Sequence, residues 1–183
     1  AWVYVAQEQW VPAIHDFSQA IELGPAAELF VWRGVVLFFD GQLEPALADL
    51  EQAASIGGEY AGAAYHGQGW VYAASGRYAE AVEAYNRASE YDWETYAWPF
   101  FEDGHWLLDR GIAYRGWGRF EQALADHTAL LDMWPDWFRA HYERGLTYRA
   151  MGQQDQAQAE LRLALEQVDD PEWHELILAA LAE

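Results

Sequence analysis

Four pairs of glycines recur along the 183-residue chain at one internal spacing: Gly34 and Gly41, Gly69 and Gly76, Gly111 and Gly118, Gly145 and Gly152. An alanine stands twelve residues after the first member of each pair, at Ala46, Ala81, Ala123 and Ala157, and the first glycines recur at intervals of 35, 42 and 34. A period in this range builds stacked supersecondary units, each too small to bury its apolar face alone, rather than one closed globule.

Around each first glycine the pattern is helical, as in the run from Glu28 to Asp40. The second glycine stands where a helix C-terminus needs a left-handed residue, a conformation that costs glycine little. A second amphipathic helix follows, with small or apolar residues at i, i+4 and i+7: Ala46, Leu50 and Ala53; Ala81, Tyr85 and Ala88; Ala123, His127 and Leu130; Ala157, Leu161 and Ala164. The frame predicts helices near 28–40, 44–56, 63–75, 79–91, 105–117, 121–133, 139–151 and 155–168. A last helix is predicted after Pro171, which suits a helix start.

The residue before each first glycine is Arg33, Gln68, Arg110 or Arg144, and the residue three after each alanine is Asp49, Ala84, Asp126 or Glu160. Arginine and acid disappear together in one repeat, which predicts pairs of Arg33 with Asp49, Arg110 with Asp126 and Arg144 with Glu160.

These positions resemble the tetratricopeptide repeat, whose pattern reads W-x2-L-G-x2-Y, A-x3-F, P. Tyr65, Gly69, Tyr72, Ala81 and Tyr85 match it, as do Leu107, Gly111, Tyr114, Ala123 and Pro135; His141, Gly145, Tyr148 and Ala157; and Phe30, Gly34, Leu37 and Ala46. The motif tryptophan is replaced in every full copy. A partial copy opens the chain, with Ala1 at the first-glycine position followed by Tyr4, Ala13, Phe17, Ala20 and Pro25. The resemblance implies an all-α, right-handed superhelical solenoid of about four and a half helix-turn-helix repeats in a single domain. These are a partial repeat over 1–26, full repeats over 27–61, 62–95, 104–137 and 138–170, an aromatic insertion over 96–103 and a capping helix over 171–183. Pro99 forbids a regular helix through the insertion, whose Trp98, Phe100 and Phe101, with nearby Trp93, either plug a junction or touch a ligand.

In this family the first helices line a concave groove. By position, that puts Val31, Trp32, Val35, Phe38, Phe39, His66 and Trp70 in an aromatic half, and Ile112, Arg115, Arg139, Tyr142 and Arg149 in a half richer in arginine. Such a groove is expected to take a peptide or helix through apolar anchors, with acidic groups meeting the arginines. The lysine–asparagine clamp that some relatives use for a terminal carboxylate is missing, since the chain has no lysine and one asparagine, Asn86.

Thirty acidic side chains against ten arginines give a formal net charge of -20, which argues against nucleic acid and anionic membranes as partners. Without cysteine there is no thiolate chemistry, and the histidines lie on separate predicted helices, so neither a metal nor a cofactor is expected. No run of about 20 apolar residues is present, so the chain reads as soluble, with cytoplasmic and exported locations both compatible. His127, at the aromatic motif position, reads as a hydrogen-bonded core histidine. The expected function is a non-enzymatic protein-interaction scaffold. The alternative is a structural subunit that stacks on copies of itself through its terminal repeats.

Overall fold

The computed structural model describes residues 1–91 and 106–182, and the insertion at 96–103 lies outside them. Eleven α-helices and one 3-10 turn account for the regular structure of the described residues, with no strand among them. The described residues fall into two compact units that divide between Trp106 and Leu107, so that all of α7 but its first residue belongs to the second.

The first unit holds α1 (Trp2–Val5), α2 (Trp10–Leu23), α3 (Ala27–Phe39), α4 (Leu43–Ile56), α5 (Ala61–Ala74) and α6 (Tyr78–Ala88). The helices pack as successive antiparallel hairpins, α3 on α4 and α5 on α6, with α3 also against α2 and α4 also against α5. The second unit holds α7 (Trp106–Gly116), α8 (Phe120–Met133), α9 (Phe138–Ala150), α10 (Gln154–Gln167) and α11 (Pro171–Ala182). Here α9 packs on α8 and α10, and α11 on α10.

The two glycines of each pair do different work. Gly41, Gly76, Gly118 and Gly152 have φ between 71° and 79°, and each closes a first helix. The amide of the following residue then turns back to the helix: Gln42 to the Leu37 carbonyl at 2.9 Å, Arg77 to Tyr72 at 2.8 Å, Arg119 to Tyr114 at 2.8 Å and Gln153 to Tyr148 at 2.9 Å. This double-bonded turn satisfies carbonyls that the helix end leaves open. The partial first copy makes the same turn with a different residue. Gln9 bonds the Tyr4 carbonyl at 2.8 Å, and Glu8, at the second-glycine position, has φ 54°.

The first glycines are helical and lie against the second helix. A β-carbon on Gly34 would meet Leu50 at 2.8 Å and one on Gly145 would meet Leu161 at 3.0 Å, while one on Gly69 or Gly111 would run still further into the rings of Tyr85 and His127. The motif alanines beside them are 0 to 1% exposed. Small residues on both helices thus set how closely each hairpin closes.

Candidate functional site

Each unit brings a different set of predicted groove residues together. In the first, Val31 and Val35 are wholly buried, and Trp32 and His66 are 7% and 8% exposed. Trp32 lies under Trp2, ring centroids 4.2 Å apart and perpendicular, and its Nε1 donates to Glu28 at 3.3 Å. His66 sits between Trp70 at 5.1 Å and Tyr85 at 5.5 Å. The expectation that Val31, Trp32, Val35 and His66 face a ligand is therefore corrected. First helices such as α3 pack against the preceding second helix, their own partner and the next first helix, so an apolar residue on almost any side of them is covered.

What reaches the surface is the C-terminal end of α3 and its neighbours. Phe39 is 43% exposed, and Phe38 and Trp70 are half-buried. Phe39 stacks on Trp10 at 5.6 Å and meets Phe38 at 5.5 Å and Trp70 at 6.3 Å, while Phe38 meets Trp70 at 5.8 Å. Four rings from α2, α3 and α5 form one aromatic strip in staggered and edge-on contacts, the arrangements that ring quadrupoles favour. Sequence reasoning missed Trp10. Its signal is a large side chain recurring nine residues after the first-glycine position, at Trp10, Leu43, Tyr78 and Phe120.

In the second unit the arginines have structural partners. Arg115 Nη1 donates to the Glu143 carboxylate at 2.5 Å and to its backbone carbonyl at 3.1 Å. Arg149 Nη1 donates to the Ala180 carbonyl on α11 at 3.1 Å, and the Arg139 guanidinium lies 5.4 Å from the centre of the Trp173 ring. Trp173 also covers Tyr142, centroids 5.6 Å apart, leaving Tyr142 8% exposed. The expectation that Tyr142 faces a ligand and that these three arginines await acidic groups is corrected: Glu143 on α9 already holds Arg115, and α11 meets Arg139, Tyr142 and Arg149. Ile112 is half-buried.

The inferred ion pairs are present, each sixteen residues apart. Arg33 clasps Asp49 through Nε at 2.6 Å and Nη2 at 2.7 Å, with Nη1 on Ser18 Oγ at 3.0 Å. Arg110 clasps Asp126 at 2.8 and 2.6 Å. Arg144 donates to one oxygen of Glu160 at 2.7 Å, and His141 Nδ1 lies 2.8 Å from the other. Bonding to Asp49 raises the Arg33 pKa. For Glu160, burial raises the carboxyl pKa, but the bonds from His141 and Arg144 outweigh it and leave it low. In the repeat without the pair, Gln68 Nε2 donates instead to the Leu50 carbonyl at 3.1 Å.

His127 is wholly buried, yet neither ring nitrogen has a hydrogen-bond partner of good geometry. Burial pushes its pKa down to about 3, helped by Arg115 and Arg144 and opposed by the Leu108 backbone. The expectation of a hydrogen-bonded histidine is corrected: the ring is held as a neutral, shape-filling group. Among the described residues no helix is long and apolar enough to cross a membrane, and no three acidic or histidine side chains cluster as metal ligands do.

Residues 25–92 match one tetratricopeptide repeat family model and residues 108–177 match a second. The small glutamine-rich tetratricopeptide repeat-containing protein 2 of Mycosarcoma maydis is 38% identical over 81 residues, 44% of this chain and 23% of that protein. The chain thus spans about a quarter of the length of the curated relative it matches. Among solved structures, the type IV pilus biogenesis factor PilW superposes with a TM-score of 0.81 at 21% identity, over 99% of this chain and 82% of that one. TTC0263 of Thermus thermophilus gives 0.76 at 20% identity over 98% and 94%. YrrB, described as a protein of this repeat type with an unusual peptide-binding site, gives 0.71 at 22% identity over 99% and 88%. These similarities show the fold.

Proposed function

This chain belongs to the tetratricopeptide repeat family, and from that premise we propose that it is a non-catalytic scaffold whose aromatic strip binds a protein or peptide partner. The observation that carries the reading is Phe39, 43% exposed at the centre of Trp10, Phe38 and Trp70. Exposed aromatic clusters of this kind mark interaction surfaces, and their members are frequent hot spots. The anchor such a strip suits is an apolar side chain of a bound segment. The net charge of -20 favours cationic or neutral segments around that anchor over nucleic acid or anionic lipid.

Partner capture from a cell extract tests the reading, comparing the wild type with Phe39→Ser. Truncating an anchoring aromatic costs about 2 kcal/mol or more, roughly thirtyfold in affinity. Proteins recovered by the wild type and lost with the variant support the strip, whereas an unchanged set rejects it.

One observation favours a second reading, self-association. Val3 and Val11 on α1 and α2 are 69% and 68% exposed, and Leu176 and Leu178 on α11 are 46% and 45% exposed. Two such apolar faces on one chain suit a heterologous contact between copies. Light scattering at increasing concentration decides it, and a constant monomer mass removes it.

A further inference from the structure

In the α5–α6 hairpin both members of the buried ion pair are absent. Gln68 takes the place held by Arg33 in the preceding hairpin, and Ala84 the place held by Asp49. A cleft of about 310 Å³ lies over these two positions, walled by Tyr72, Glu80, Glu83 and Arg87. The corresponding cleft over α3 and α4, about 350 Å³, has Arg33 and Asp49 in its lining. There the polar groups are mutually satisfied, because Arg33 takes both Asp49 oxygens and gives its remaining arm to Ser18.

The second cleft is not satisfied in this way. Gln68 is only 7% exposed, and its Nε2 is committed to the Leu50 carbonyl. Its Oε1 accepts from no described protein group and stays open to solvent at the floor of the cleft, an acceptor that a ligand N–H can reach. At the rim, Glu80 and Glu83 accept from Arg77 at 3.0 Å and Arg87 at 3.5 Å, both in exposed contacts that leave carboxylate lone pairs open. The Tyr72 wall already carries a planar cation, the Arg77 guanidinium lying 4.5 Å from its ring centre.

We propose that this cleft binds the guanidinium of an arginine side chain on a basic partner segment, replacing in trans the arginine that this hairpin lacks. A guanidinium presents five N–H groups in a rigid fork, enough to reach the Gln68 oxygen at the floor and a rim carboxylate together. The overall negative charge raises the local concentration of such segments. The site uses the flank of α5 and α6 and stands independently of the aromatic strip.

The test titrates the whole protein with acetyl-Gly-Arg-Gly-amide while following by NMR the side-chain amide signal of Gln68 in the wild type and, in wild type and variants alike, the backbone amide signals of Tyr72, Glu80, Glu83 and residue 84 around the cleft. The control peptide carries citrulline, which keeps the shape and removes the charge. The expected result is saturable movement of these signals with a dissociation constant in roughly the millimolar range, and at least tenfold weaker binding of the citrulline peptide. Gln68→Arg combined with Ala84→Asp rebuilds the ion pair of the other hairpins and should weaken binding of the arginine peptide at least tenfold. Gln68→Met, which removes the open acceptor without filling the cleft, should do the same and serves if the double variant misfolds. No movement of the Gln68 signal, equal binding of the citrulline peptide, or undiminished binding to a folded variant overturns the proposal.

Discussion

A β-carbon built on Gly111 would run into Nε2 of His127, so the hairpin of α7 and α8 closes over a histidine that leaves no room for even one methyl group. The same contact is made by Leu50, Tyr85 and Leu161 in the other hairpins, opposite Gly34, Gly69 and Gly145.

Gly111→Ala should destabilise the protein by about 1–3 kcal/mol even though alanine is the better helix former, because the ring opposite cannot move aside within a closed hairpin. Gly69→Ala, facing the Tyr85 ring just as closely, should cost a similar amount. Gly145→Ala should cost less, since Leu161 begins at 3.0 Å. Urea unfolding of the three variants checks the order, and an alanine at 111 that raises stability would contradict it.

His127 makes folding sensitive to acid. Its folded pKa of about 3 lies below the unfolded value near 6.5, so the unfolded chain binds the extra proton. The contribution is fully present above about pH 6.5 and is lost as pH falls toward 3. His127→Leu, matching Leu50 and Leu161, should raise stability by about 1–3 kcal/mol at neutral pH by removing two unpartnered nitrogens. It should also reduce by one the protons taken up on unfolding across that window. Stability measured every half pH unit gives the comparison, and parallel profiles would show that His127 is not the titrating group.

Glu8 adopts the left-handed conformation that glycine holds in every later repeat. Glu8→Gly should therefore raise stability by about 1 kcal/mol, the cost of a β-carbon in that region. The thermal midpoint reports it, and a fall would mean that the turn does not limit stability.

Arg33→Gln alone leaves the Asp49 carboxylate, 7% exposed, without its bidentate donor and should cost about 2–3 kcal/mol. Adding Asp49→Ala reproduces the pair of residues found at Gln68 and Ala84. It should restore at least about 1 kcal/mol, because the stranded charge goes with it. A double-mutant cycle measures the coupling, and strictly additive losses would exclude it.

The sequence alone determined the helical hairpins, their frame and the arginine–acid pairs. Those features depend on local needs, a left-handed backbone at Gly41, Gly76, Gly118 and Gly152 or two side chains that appear and vanish together, and local needs leave a mark at fixed spacing. Only the tertiary structure decided which groove residues could meet a partner. Trp32 went under Trp2, Tyr142 under Trp173, and Arg115 and Arg149 were taken by Glu143 and the Ala180 carbonyl. Burial of that kind comes from helices distant in sequence, such as α1 and α11, and no periodicity within one repeat records what will be laid over it.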